Sequence, residues 1–353
     1  MRRYFGFMII FAMITSVLLV GCTSSNESSG NTTDKGSSQN ENASNSDEPG
    51  ENASNSDKPG KDIQISFGGS APGGVYYYMI GVLSSLLSEQ ISGVNVTNVS
   101  TGASVANVLG IANGDLDFGF TYGSLIKEAW NGTDTFKDQG KLQMIRGIAK
   151  AYESPHYFVV MKDSGITSME DLKGKRVSVG PPGSGAQYNS DIILNSLGID
   201  VKSEYLSFSD AGTALKEGRI DAFGQSGAPS GAVTELAETS EIIIIPFSDE
   251  EMKKLEKDTG FYATGYLKKG VYKGVDQDVQ MPVFTVYWIA HENVDDEIVE
   301  KILEVSFDEK NRQTLVDGYP LWSEFTPDIE NFEKLGVPFH PGSLKYYEEN
   351  GLK

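Results

Sequence analysis

The chain has 353 residues, with 49 acidic against 29 basic side chains and a formal net charge of −20; 39% of its residues are hydrophobic and 22% charged. These proportions suit a globular protein long enough for two ordinary domains. The acidic balance excludes a nucleic-acid partner, which needs a basic surface. One cysteine (Cys22) and three histidines (His156, His291, His340) allow no internal disulfide and leave little for a zinc or thiol site.

Met1-Arg2-Arg3 opens the chain ahead of an apolar run from Tyr4 to Val20. A charged start and a short apolar segment describe a secretory signal over residues 1–21, marginal in length for a spanning helix of roughly 20 residues. Leu19-Val20-Gly21-Cys22 resembles a bacterial lipobox, which implies lipidation at Cys22 and a chain anchored to the cell membrane on its extracytoplasmic side. The other reading is an uncleaved anchor with a chance cysteine. Residues 22–61 are rich in Ser, Asn, Gly and acids, and the ten residues ENASNSDEPG at 41–50 recur as ENASNSDKPG at 51–60. Such a segment buries too little surface to offset its ordering entropy, so a disordered tether is expected. Residues 63–353 carry −17 of the net charge, so the excess acid belongs to the folded part.

From Ile63 the pattern is α/β. A strand at 63–67 runs into Gly68-Gly69-Ser70-Ala71-Pro72-Gly73-Gly74 and then a helix with an apolar stripe that includes Val75, Tyr78, Met79 and Val82. A strand at 94–99, a short helix at 104–112 and a strand at 116–120 follow. In that helix Ser104 and Asn107 share one face, opposite Val105, Val108, Leu109 and Ala112. The plan then repeats. A short helix capped at Ser168 ends at Gly174; a strand at 176–179 leads through Gly180-Pro181-Pro182-Gly183-Ser184-Gly185 into a helix at 186–197. Leu215-Lys216-Glu217-Gly218-Arg219-Ile220-Asp221 echoes Ile111-Ala112-Asn113-Gly114-Asp115-Leu116-Asp117, each reading as a helix ended by glycine with a strand one residue later. Strands alternating with helices predict a largely parallel sheet. The expected organisation is two lobes, 62–155 with 290–353 and 156–289, the stretches 157–161 and 283–289 crossing between them.

In such folds ligands sit where strand ends enter helices, so the two glycine loops should face each other across a cleft. Their backbone N–H groups and helix ends suit an anion. A dinucleotide is disfavoured because the second strand ends in Ser100-Thr101-Gly102 without the acid that holds a ribose, and the loops lack the Gly-Lys-Ser/Thr of a phosphate-binding loop. Thr101 or Ser104 could simply cap the helix, whereas capping does not account for Asn107. Tyr76 and Tyr77 lie off the stripe, so one of them can reach the cleft. Tyr122 ends a strand at the cleft edge, as does Gln225-Ser226-Gly227-Ala228-Pro229 in the other lobe.

No catalytic residue is assigned. Gly224-Gln225-Ser226-Gly227 misses the spacing of a Gly-x-Ser-x-Gly elbow, and His156 and His340 have no evident nucleophile or metal partner, so structural roles are expected for both. The carboxylates form runs such as Asp249-Glu250-Glu251. No metal and no cofactor is called for.

Four segments together carry a resemblance to a known family. Gly69-Ser70-x-x-Gly73-Gly74-Val75-Tyr76-Tyr77, Thr101-Gly102-x-Ser104-x-x-Asn107, residues 171–185 (DLKGKRVSVGPPGSG) and His340-Pro341-Gly342-Ser343-Leu344-Lys345-Tyr346-Tyr347 resemble the TAXI family, solute-binding subunits of tripartite ATP-independent periplasmic (TRAP) transporters. The resemblance spans about residues 62–353. It implies a periplasmic-binding-protein-like fold of type II, with two α/β lobes and a ligand cleft, that delivers a solute to an ion-coupled membrane permease. The implied solute is a small carboxylate or amino acid, glutamate-, glutamine- or 2-oxoglutarate-like. On this reading the N–H groups of Gly73, Gly74, Gly183 and Gly185 meet the carboxylate, Ser70, Ser104, Asn107, Ser184 and Gln187 supply directional hydrogen bonds, and Thr101 and Ser226 belong to the same ligand site. Tyr76 and Tyr122 wall the pocket. The alternative reading is the solute-binding lipoprotein of an ABC importer, or a sensor or enzyme reusing the fold.

Overall fold

The computed structural model describes residues 62–353; the expected signal, Cys22 and the tether lie outside the described residues. The described part begins with β1 (Ile63–Gly68), α1 (Val75–Gln90), β2 (Val94–Val99), α2 (Ser104–Ala112), β3 (Phe118–Tyr122) and α3 (Gly123–Asn131). A long strand, β4 (Ile145–Met161), leads into β5 (Arg176–Ser178), α4 (Gly185–Leu197), β6 (Lys202–Glu204), α5 (Phe208–Lys216) and β7 (Ala222–Ser226). Next come α6 (Gly231–Thr239), β8 (Ile242–Ile244), α7 (Asp249–Thr259), β9 (Ala263–Leu267) and a second long strand, β10 (Val279–His291). Four helices close the chain: α8 (Asp296–Phe307), α9 (Glu309–Gly318), α10 (Ile329–Glu333) and α11 (Pro341–Glu349).

The strands are ordered β2-β1-β3-β10-β4-β7-β5-β6, with β8 added to β4 and β9 to β10. The two ends of this sheet repeat one plan. β1 lies parallel between β2 and β3, and β5 lies parallel between β6 and β7. Antiparallel β4 and β10 join them. β4 pairs with β10 as far as Pro155 and turns to β7 from His156 onward. A single 17-residue strand thereby serves both halves of the sheet.

The echoed segments have equivalent jobs. Gly114 and Gly218 end α2 and α5 with φ of +77° and +68°, a conformation that glycine adopts without strain. The strands begin four residues after these glycines, later than the pattern suggested, because Asp117 and Asp221 are spent on the neighbouring strand. The Asp117 carboxylate accepts from Ser66 N and Oγ at 2.7 and 2.8 Å. The Asp221 carboxylate accepts from Arg176 N at 2.8 Å and Nη2 at 2.6 Å.

Three local expectations are corrected. Residues 170–172 form one 3₁₀ turn rather than an α-helix; Asp171 there accepts from the Thr167 and Ser168 amides. In α1 the buried face runs through Val75, Tyr76, Met79, Ile80 and Leu83, so Tyr76 points inward. Tyr78 is exposed and stacks on Tyr319, with ring centroids 6.0 Å apart. In α2 the polar face of Ser104 and Asn107 is the buried one, because it packs under the glycine loop, while Val105 and Leu109 are half-exposed. Beneath α1 an aromatic core joins Phe67, Phe118, Phe120, Trp288 and Trp322 in mostly tilted and edge-on contacts. Among the described residues no helix is long and apolar enough to cross a membrane.

Hydrogen bonds from Arg176 hold the Asp221 carboxyl below the ordinary carboxylate range. A depressed folded-state pKa contributes stability above the unfolded value that is lost as pH falls through the folded one. Asp221→Ala should therefore lower unfolding stability by about 1–3 kcal/mol at neutral pH. In denaturant titrations the gap to the parent should narrow below roughly pH 4; a gap independent of pH would remove the ion pair from this role.

Candidate functional site

The two glycine loops meet at a cavity with about 20 Å³ of internal room, little more than the roughly 10–15 Å³ that one water needs. Its walls are helix starts. α1 brings Gly74, Val75 and Tyr76, α2 brings Ala103 and Ser104, α4 brings Gly185 and Ala186, and α5 brings Phe208; Ser70, Tyr122, Tyr152 and Ser226 complete it. No lining residue is an acid or a base, and none of α1, α2 and α4 has an acidic residue in its first turn.

The first turn of a helix has N–H groups with no intrahelical acceptor. Some of these are satisfied locally. Tyr77 N donates to Ser70 Oγ at 3.1 Å, Gln187 N to Ser184 Oγ at 3.0 Å, and Ala103 N to Thr101 Oγ1 at 2.9 Å. Val105 N and Ala106 N donate across the cavity rim to Gly183 O at 3.1 and 3.3 Å, and Ala232 N to Gly73 O at 3.3 Å. The amides of Val75, Tyr76, Ser104, Gly185 and Ala186 have no acceptor among the described residues, and all five residues line the cavity. Unpaired donors and the positive ends of three helices thus converge where no cation stands.

The hydroxyls are neutral. Burial holds the Tyr76 and Tyr122 phenols well protonated, and Tyr76 Oη shares a hydrogen bond with Ser104 Oγ at 3.0 Å. Tyr122 Oη lies 3.4 Å from Ser154 Oγ. His156, fully buried behind Ser226, has its pKa lowered to about 3 by desolvation and is uncharged at neutral pH.

Of the thirteen residues singled out from the sequence, Ser70, Gly74, Tyr76, Ser104, Tyr122, Gly185 and Ser226 line this cavity. Gly183, Ser184 and Gln187 line an adjacent, larger groove of about 610 Å³ whose wall also carries Glu128, Asp134, Asp191 and Asp258. Chemistry separates the two spaces: acids line the groove, whereas the small cavity holds the unpaired amides. Gly73, Thr101 and Asn107 line neither. Asn107 Nδ2 donates to Gly68 O, Gly69 O and Phe120 O at 2.9–3.1 Å, and its Oδ1 accepts from Thr101 Oγ1 at 2.6 Å. Its hydrogen-bonding capacity goes to holding the first loop against β3. Gln187 is likewise engaged, its Oε1 accepting from Gly183 N at 2.9 Å. His340 caps α11, accepting from Gly342 N at 3.3 Å.

The sequence reading missed Val75, Ala103, Tyr152, Ala186 and Phe208 in the wall, and Asn189 and Ser190 behind it. One signal was available. Asn189 and Ser190 fall on the stripe of α4 that also carries Ala186, Ile193 and Leu194, so two polar side chains interrupt a buried face.

A family model described as the NMT1-like family matches residues 67–351. The chain belongs to the NMT1-like family. Among solved structures, this NMT1-like chain is similar to PhnD1 from Prochlorococcus marinus (MIT 9301) in complex with methylphosphonate: 16% identity over 78% of this chain and 97% of that one, TM-score 0.50. It is equally similar to a protein from Bordetella bronchiseptica RB50, at 16% identity over 82% and 98% of the two chains and TM-score 0.50. A putative L-cystine ABC transporter from Listeria monocytogenes matches at 14% identity over 75% and 97%, TM-score 0.46. The fold is α/β, periplasmic-binding-protein-like and of type II.

Because Asn107 ties three carbonyls, Asn107→Ala should destabilise the NMT1-like chain by about 1–3 kcal/mol. Hydrogen exchange should show the loss concentrated in residues 68–77 and the start of α2; unchanged protection there would refute the bracing role.

Proposed function

We propose that this chain is the extracytoplasmic solute-binding receptor of an importer, and that it closes on a small anion. The observation that carries the reading is the set of five unpaired amides, from three helix starts on both halves of the sheet, around one uncharged cavity. Donors fixed in a buried cavity reward a ligand that supplies acceptor oxygens and penalise one that leaves them unmatched. A carboxylate, phosphonate or sulfonate head group has that chemistry. The carboxylate is the class that the sequence motifs suggest, and methylphosphonate is bound by the similar Prochlorococcus protein. We propose the lobes as 62–155 with 290–353 and 156–289, hinged on β4 and β10. The Gly73 and Gly183 carbonyls, each docked on a helix start of the opposite half, are the latches of the closed state. Cys22 is the proposed lipid anchor, with the tether giving reach to the membrane permease.

An ATP-driven ABC importer is our first reading of that permease, on the ground of the NMT1-like family match. The motifs at 69–77, 101–107, 171–185 and 340–347 are the ground for the second, an ion-coupled TRAP permease. Uptake reconstituted in vesicles separates them: ATP hydrolysis drives one and an ion gradient the other.

Two experiments test the receptor itself. The protein, unfolded and refolded to strip bound solute, is melted against methylphosphonate, alkanesulfonates, small carboxylates and amino acids. A cognate anion at 100 times its Kd should add about 2.7 kcal/mol of stability; no shift with any anion would overturn the anionic reading. Gly185 provides the second test. A Cβ there would stand 2.2 Å from Tyr122 Cε2 and 2.5 Å from Ser104 Oγ in the opposite half. Gly185→Ala should therefore obstruct closure, weakening the anion about 10- to 100-fold, as a strain of about 1–3 kcal/mol implies. Unaltered affinity would refute closure onto this cavity.

A further inference from the structure

Behind the cavity wall lies a buried chain of polar groups that the proposed function leaves unused. His156 sits on β4 where that strand changes partners, in register with Ser226 on β7. His156 Nδ1 is 2.8 Å from Ser226 Oγ, and His156 Nε2 is 3.2 Å from Ser190 Oγ. Asn189 Nδ2 donates to the same Ser226 Oγ at 3.2 Å. His156, Asn189 and Ser190 are fully buried, and Ser226 alone of the four lines the cavity.

Hydrogen-bond accounting fixes the direction of this chain. A neutral imidazole has one N–H and one acceptor nitrogen, and a serine has one O–H and two lone pairs. Ser190 Oγ has no partner besides His156 Nε2 among the described residues. A proton on Nε2 would strand Ser190's own hydrogen in the interior, an expensive arrangement. Ser190 therefore donates to Nε2, and the ring proton is on Nδ1, donated to Ser226. With Asn189 Nδ2, two donors then occupy the two lone pairs of Ser226 Oγ, and its hydrogen is left for the cavity side, where the Tyr122 hydroxyl also stands. Asn189 Oδ1 is left buried without a partner. The reversed amide would instead leave its two N–H donors at that unpartnered place, and buried unpaired donors are the rarer defect.

We infer that His156, with Asn189, is a positioning residue that makes Ser226 an obligate hydrogen-bond donor into the cavity, so that this point of the site selects an acceptor oxygen of the solute over an N–H. The inference deepens the receptor reading and rests on it for the solute, while the proton arrangement stands by itself.

The test begins on the full chain without added solute. In ¹⁵N–¹H correlation spectra of histidine-labelled protein, assigned by the signals lost in His156→Gln, His156 should be neutral from pH 5 to 8 with its proton on Nδ1. A proton on Nε2, or an imidazolium in that range, overturns the inference whether or not any solute binds. Calorimetry with methylphosphonate and the small carboxylates follows, on the parent, His156→Phe, Ser226→Ala and the double variant. Each single change should weaken the anion on the order of tenfold. The double change should weaken it no further, since both act through one hydroxyl; additive losses overturn the positioning role. A parent that binds no anion sinks the receptor reading and with it the selectivity, leaving the Nδ1 proton as the surviving result.

Discussion

A helix that starts at the end of a strand leaves N–H groups it cannot pair within itself, and a folded chain has to dispose of them. Much of this molecule's local design is that disposal. Serines at 70, 184, 207, 230 and 248 accept one such amide each at or near the start of α1, α4, α5, α6 and α7. Carbonyls of the two glycine loops accept others from the opposite half of the sheet. Five that remain unpaired, from the starts of α1, α2 and α4, lie around one cavity. The concentration of leftover donors, more than any single side chain, is the ground for the preference for oxygen anions proposed above.

That preference needs a scaffold without competing charge. The molecule has a strong excess of acid, yet none lines the cavity. The acids stand on exposed faces, in the adjacent groove, or, like Asp117 and Asp221, bound to a neighbouring strand. The buried polar side chains serve the frame. Asn107 holds the first loop to β3, and His156, kept neutral by desolvation, holds Ser226. A net charge of −20 is compatible with the proposed anion site, because hydrogen bonds act at contact distance whereas the field of exposed charges is screened by solvent within about 10 Å.

Much of the frame was legible without coordinates. Alternating apolar stretches placed the strands, and the glycine loops marked where they enter helices. The echo around Gly114 and Gly218 disclosed a repeated unit, which the order β2-β1-β3 and β6-β5-β7 displays. Seven of the residues named for the cleft line the cavity, because strand ends and helix starts are set by local chemistry. Periodicity misplaced the tyrosines of α1, since three successive tyrosines fit more than one phase of a helix and only packing against Phe120 and Tyr152 chooses Tyr76. Sequence reasoning also offered Asn107 on the polar face of α2 to the solute, although the carbonyls it satisfies belong to β1, β3 and the loop between β1 and α1.

The sequence by itself determined the strand–loop–helix units, their repetition and the lack of charge in the glycine loops, because hydrophobic period and turn chemistry act over a few residues. The tertiary structure decided which amides stay unpaired, whether a polar side chain faces a loop or the solute, and what His156 touches. Those outcomes depend on partners 30 to 70 positions away, such as Ser190 and Ser226 for His156. A hydrogen bond is settled by distances of a few tenths of an ångström, and only the packed chain sets distances of that kind.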